Sequence, residues 1–99
     1  MVVVRGVNLY PSAVEAVLRR FPEVAEYRVE VRRVGALAEA AIHVEPAPAC
    51  VGPDQLCRSV EGALREAFNL RVPVSHVAGG TLPRWELKAK RWVTVREEA

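Results

Sequence analysis

The sequence predicts an α+β fold, a ferredoxin-like β-α-β-β-α-β antiparallel sheet with two helices on one face and an added C-terminal strand. Three observations predict it. Two neighbouring segments alternate apolar and polar residues with the period of a strand, on either side of Gly35. Two others repeat apolar residues with the period of a helix, and short apolar runs stand at both ends of the chain. That element order serves many unrelated functions, so the fold alone assigns none.

Val2 to Val4 form the opening strand. Ser12 and Glu15 have the spacing of a capping box, Pro11 stands just before them, and Val14, Val17 and Leu18 make an apolar stripe. A short helix over 12–20 follows, ended by Phe21-Pro22. From Tyr27 the pattern is a half-buried strand, with Tyr27, Val29 and Val31 on one face and Arg28, Glu30 and Arg32 on the other. Gly35 marks a hairpin turn. The next strand points Ala40, Ile42 and Val44 inward and Glu39, Ala41, His43 and Glu45 outward, which leaves one face of the sheet polar. A Pro- and Gly-rich loop over 46–53 ends on a proline at the favoured first position of a helix. That helix runs over 53–68, with Leu56, Val60, Ala63, Leu64, Ala67 and Phe68 as its stripe and Cys57 as a small core residue at the stripe's edge. Val72 to Val77 make a third strand and Trp92 to Val95 a last one. The expected core packs Val29, Val31, Ile42 and Val44 under Val14, Val17, Leu18, Val60, Leu64 and Phe68.

With 99 residues, 51% hydrophobic and 26% charged, the chain suits one compact domain, residues 1–99, and leaves no room for a second domain with a cleft between them. Any large substrate site must be shared with a partner. The opening apolar run is broken by Arg5 and Gly6, too soon for a signal-peptide core, and no stretch reaches the length of a membrane span. The expectation is a cytoplasmic protein without membrane contact. Cys50 and Cys57 match no zinc or redox spacing, so no metal is expected. His43, on an outward strand face, reads as a surface residue, and His76 receives no role. Nucleic-acid binding on such a fold needs aromatics on the central strands for base stacking. Leu37 to Glu45 contains none, and Glu39 and Glu45 repel phosphate.

The net charge of +2 is unevenly placed. Up to residue 83 the basic and acidic residues cancel, whereas residues 84 to 96 carry Arg84, Lys88, Lys90, Arg91 and Arg96 against Glu86 alone. Lys88 and Lys90 are also the only lysines in a chain that otherwise uses arginine. An ammonium is a compact, strongly hydrated point charge with an adjustable pKa, unlike a guanidinium.

Two segments read as more than core or surface: Arg5-Gly6-Val7-Asn8-Leu9-Tyr10-Pro11-Ser12, and Gly80-Thr81-Leu82-Pro83-Arg84-Trp85-Glu86-Leu87-Lys88-Ala89-Lys90-Arg91. Together they resemble the C-terminal domain of phenylacetate-CoA ligases and, more widely, of the adenylate-forming acyl-CoA synthetase and luciferase superfamily. There an R-G-V-N-x-[FY]-P-S-x-[IV]-E segment follows the interdomain hinge, and an L-P-R-x-x-G-K-x-x-R segment carries the adenylation lysine. The resemblance implies a two-step reaction. A carboxylate attacks ATP to give an acyl-adenylate and pyrophosphate, and the thiol of coenzyme A then displaces AMP while the small domain rotates between the steps.

Residue by residue, the resemblance makes Lys88 the catalytic lysine, with Arg84, Lys90 and Arg91 near the phosphates. It makes Arg5, Gly6, Val7 and Asn8 the loop that faces coenzyme A, with Gly6 letting the pantetheine arm pass close to the backbone. It also implies that the chain is not active alone and binds no cofactor by itself. ATP with Mg and coenzyme A belong to a complete enzyme, whose large N-terminal adenylation domain acts in the parent chain or in trans. The sequence departs from the pattern at two positions, with Leu87 where a glycine precedes the lysine and Trp85 where a small hydroxyl residue is usual. The competing reading is a non-catalytic binding or oligomerisation module derived from that domain, and a homodimer is one possible assembly.

Overall fold

The computed structural model describes residues 2–34, 37–79, 82 and 92–97. In chain order the elements are β1 (Val2–Val4), β2 (Val7–Leu9), α1 (Pro11–Leu18), β3 (Val24–Val34), β4 (Leu37–Pro46), α2 (Pro53–Phe68), β5 (Val74–His76) and β6 (Trp92–Glu97). The predicted turn at Gly35 lies outside the described residues. Among these residues no helix is long and apolar enough to cross a membrane.

The α+β class is as expected, but the strands join differently in detail. β1 pairs with β2 in a separate two-stranded sheet, and the main sheet has the order β5-β4-β3-β6. Only β3 and β4 run antiparallel within it; β6 lies parallel to β3, and β5 parallel to β4. The opening strand therefore does not enter the main sheet, and the C-terminal strand lies beside β3. The cause is local. A two-residue turn at Arg5-Gly6 lets Val2–Val4 pair at once with Val7–Leu9, and the shortest loop closes at the least entropic cost.

The β3–β4 ladder builds the core. Val29 pairs with Ile42, Tyr27 with Val44 and Val31 with Ala40, and all six are buried on one face. The same hydrophobic cluster contains Val14, Val17 and Leu18 of α1 and Leu56, Val60 and Leu64 of α2, so both helices cover that face. Phe68 is only partly buried and Ala67 is exposed. Val4 and Leu9 fasten the β1–β2 hairpin to the cluster from its side.

The helix ends correct one expectation. α1 begins at Pro11, its N-cap is Tyr10, and no side chain caps it. Ser12 and Glu15 form no capping box, because the helix starts one residue earlier, at Pro11, and places Ser12 inside its first turn instead of at the N-cap. The Glu15 carboxylate instead accepts from Arg19 Nε at 2.9 Å. α2 starts at Pro53 as predicted and ends at Asn69, whose φ of 52° is the left-handed stop that asparagine tolerates; its N–H donates to the Arg65 carbonyl at 2.8 Å. Cys57 is buried, and burial pushes its thiol up from the ordinary value, which suits a core residue and not a nucleophile.

Truncating Ile42 or Leu64, each no more than 2% exposed, to alanine should lower unfolding free energy by about 2 to 5 kcal/mol in urea titrations. A loss below about 0.5 kcal/mol at both sites would contradict this core.

Candidate functional site

The first predicted segment is the β1–β2 hairpin and its turn. Val4 and Val7 close the hairpin, and Arg5 and Gly6 between them have φ of 50° and 79°, the double left-handed turn that matches strand twist. Glycine enters this region freely. For arginine it costs roughly 1 to 2 kcal/mol, and asparagine is the usual residue there. A Cβ on Gly6 would meet nothing within 4 Å, so the glycine answers to backbone conformation and the space above it is open. Asn8 pairs with Val3, and both are exposed on the outer side of the hairpin, while Val7 turns partly inward. Sequence periodicity missed β2 because three residues are too few to show alternation.

Arg5 is held at both ends. Its N–H donates to the Ala38 carbonyl at 3.3 Å, and its Nη2 donates to Glu39 Oε1 at 2.7 Å. This docks the turn beside the polar outer face of the sheet. There Arg32 Nη2 donates to Glu30 Oε1 at 2.7 Å. His43 Nε2 lies 3.1 Å from Glu30 Oε2, and its Nδ1 lies 3.0 Å from Ser75 Oγ, so a polar chain crosses β3, β4 and β5. His43 is thus half-buried and engaged at both ring nitrogens, where a surface histidine was expected. The guanidinium of Arg32 beside Glu30, and then His43, hold the Glu30 carboxyl below its ordinary value of 4.5.

Between the turn, this outer face and the stretch linking α2 to β5 lies a cleft of 320 Å³. Its charged lining is Arg5, Arg32 and Arg71 with Glu30 and Glu39. The sequence reading did not single out Arg71. The only signal was an arginine between two apolar residues, Leu70 and Val72, both of which are buried.

The second predicted segment is seen only at its margins. Lys88, Arg84, Lys90 and Arg91, with Trp85 and Leu87, lie outside the described residues. Leu82 is buried, and its N–H donates to Glu45 Oε1 at 3.1 Å; Trp92 re-enters the sheet opposite Val29. Both ends of the lysine segment are therefore tied to the β3–β4 ladder. Glu45 was expected to point into solvent. It does lie on the outer face, opposite Glu26, but is 1% exposed, with the Leu82 N–H bonded to it. Among the described residues no cluster of His, Cys, Asp and Glu could hold a metal ion.

Residues 6–96 match the family of AMP-binding enzyme C-terminal domains. The phenylacetate-coenzyme A ligase of Escherichia coli (strain K12) is 28% identical over 102 aligned positions, which span 97% of this chain and 23% of that enzyme. A crystal structure of a domain of phenylacetate-coenzyme A ligase from Bacteroides vulgatus ATCC 8482 superposes with a TM-score of 0.79 at 25% identity, covering 98% of this chain and 93% of that one. A 2-hydroxyisobutyryl-CoA ligase in complex with 2-HIB-AMP and CoA, in the thioesterification state, superposes with a TM-score of 0.80 at 26% identity over 95% of this chain and 21% of that one. The chain spans 10% to 23% of the length of the curated relatives it matches.

Two outcomes test this geometry. Replacing Arg5 by asparagine relieves the left-handed strain and removes only an exposed ion pair, so the urea midpoint should stay the same or rise; a loss above about 1 kcal/mol would make Arg5 a structural residue. Because the folded-state pKa of Glu30 is depressed, its contribution to stability is present above the unfolded value and lost as pH falls through the lower folded value. Urea midpoints measured from neutral pH to below pH 4.5 should fall less steeply for Glu30→Gln than for the unmodified chain.

Proposed function

The chain belongs to the family of AMP-binding enzyme C-terminal domains, and from that membership we propose that it is the mobile lid of a phenylacetate-CoA ligase-like enzyme. In this reading residues 1–99 act as one rotating unit against a large adenylation domain, in the parent chain or in trans, in the cytoplasm where ATP and coenzyme A are available. The observation that supports it most strongly is the Arg5-Gly6 turn. An arginine is kept at φ 50°, at a cost of roughly 1 to 2 kcal/mol, in a hairpin whose open side borders a cationic cleft. Such strain, persisting where asparagine would serve the fold better, fits a loop that works on a ligand.

The proposed division of labour follows from charge. When carboxylate attacks the α-phosphate of ATP, negative charge accumulates between the two. A fixed ammonium there lowers the barrier by several kcal/mol, roughly a hundredfold or more in rate. We assign that role to Lys88, the lysine that falls on the motif position, with Arg84, Lys90 and Arg91 near the phosphates. Anchoring of the segment at Leu82 through Glu45, and at Trp92 beside Val29, supports it by limiting how far Lys88 can stray. In the second step the domain turns the Arg5–Asn8 loop toward the acyl-adenylate. The open space over Gly6 then leaves a path for the pantetheine arm of coenzyme A.

Pyrophosphate exchange by the chain reconstituted with a cognate large domain tests the assignment. Lys88→Ala should lower exchange by about a hundredfold or more while leaving thioester formation from preformed acyl-adenylate much less affected, and Lys90→Ala should change neither step appreciably. Equal exchange rates for the unmodified chain and Lys88→Ala would leave a non-catalytic module.

A further inference from the structure

We propose that Glu45 is a positioning residue for the adenylation half-reaction: its buried carboxylate holds the backbone of Leu82 and so sets the point from which the chain runs on to Lys88. The proposal rests on the reading of Lys88 as the adenylation lysine. It adds a residue that lies outside both segments that carry the resemblance.

Accessibility falls along the outward residues of β4. The side chain of Glu39 is 54% exposed and that of His43 25%, whereas Glu45 is 1% exposed. Its register partner Glu26 is 3% exposed. Two carboxylates therefore stand opposite each other at the buried end of a polar face, which burial and like charge both disfavour unless each has hydrogen-bond donors. Each accepts from a backbone N–H. Glu26 Oε1 takes that of Tyr27 at 3.0 Å, beside the register shift between Val24 and Glu26, and Glu45 Oε1 takes that of Leu82 at 3.1 Å, 37 residues away in sequence.

Leu82 is 3% exposed, yet it lies outside the hydrophobic cluster that unites the sheet with both helices. The core does not account for this contact. A bond from a backbone N–H to a carboxylate is charge-assisted, and it fixes one chain position against the sheet. Lys88 lies between Leu82 and Trp92, and Trp92 is held beside Val29. Among the described residues, the nearest backbone bond upstream of Leu82 is that of the Val77 N–H to the Val44 carbonyl at 2.9 Å. Releasing Leu82 would move the upstream tether back to residue 77, and a longer tether aims an ammonium less well. The Arg5–Asn8 loop, assigned to thioester formation, is held by Ala38 and Glu39 at the other end of β4. The two half-reactions thus depend on opposite ends of one strand, and loss of Glu45 acts on the first.

The test compares pyrophosphate exchange with thioester formation from preformed acyl-adenylate, using the chain together with its large domain. Glu45→Ala should lower kcat for exchange about tenfold, with KM for ATP and the rate of thioester formation each changed by less than about twofold. Glu45→Gln, which keeps an acceptor for the Leu82 N–H, should recover most of the exchange. In a Lys88→Ala background the Glu45→Ala loss should vanish, because a residue that acts through Lys88 has nothing left to position. Leu82→Pro removes the donor and leaves β4 untouched, so it should reproduce the Glu45→Ala pattern and serves if that variant does not fold. Equal losses in both half-reactions, or a Glu45→Ala loss that persists in full without Lys88, would overturn the proposal. Exchange lost by Lys88→Ala but kept by both Glu45→Ala and Leu82→Pro would reject the positioning role alone. Exchange kept by Lys88→Ala would reject the reading on which it rests.

Discussion

The pairing of Val29 with Ile42 in the β3–β4 ladder is the constraint on which the other elements depend. Strand side chains alternate with a period of two, so a slip of one residue would turn Tyr27, Val29, Val31, Ile42 and Val44 into water and bury Glu30, Arg32 and Glu39. The two helices hold the register by covering the apolar face. Both edge strands join the same pair, with Trp92 of β6 opposite Val29 and Val74 of β5 opposite Ile42. The outer polar face is thereby fixed as well. The exit of the lysine segment at Trp92 and the connector that carries Arg71 are both positioned by it.

The acidic residues of that outer face show how one strand pattern supports several roles. Glu39, near one end of β4, holds the Arg5 guanidinium in the open. Glu30, in the middle of β3, bridges Arg32 and His43 and keeps its charge to lower pH because both partners favour the carboxylate. Glu45, near the other end of β4, is buried and takes up the backbone of Leu82. A carboxylate so enclosed is tolerated only with hydrogen-bond partners, and the Leu82 N–H is one. The three differ in the partner that each meets.

Strain and function meet in the β1–β2 hairpin. Its hydrophobic attachment through Val4 and Leu9 is strong enough to carry an arginine in a left-handed conformation. The Arg5 side chain is paired with the Glu39 carboxylate. That pair is exposed and contributes little net energy. The turn can therefore stay folded whether or not its guanidinium keeps that partner.

Much of this was legible in the residues themselves. Apolar period alone identifies both helices, the two long strands and their buried faces, since burial repeats every 2 residues in a strand and every 3.6 in a helix whatever the neighbours are. The Arg5–Ser12 and Leu82–Arg91 segments likewise carry the family resemblance in their side chains. Other features were decided only by the tertiary structure: the withdrawal of Val2–Val4 into its own hairpin, the parallel entry of β6 beside β3, the covering of Glu45, and the meeting of Arg5, Arg32 and Arg71. The physical reason is common to all of them. A sequence records which way a side chain faces, but strands join through backbone N–H and C=O groups that are nearly the same in every residue, so the choice of neighbour, and with it which charges share a cleft, is made by how the whole chain packs.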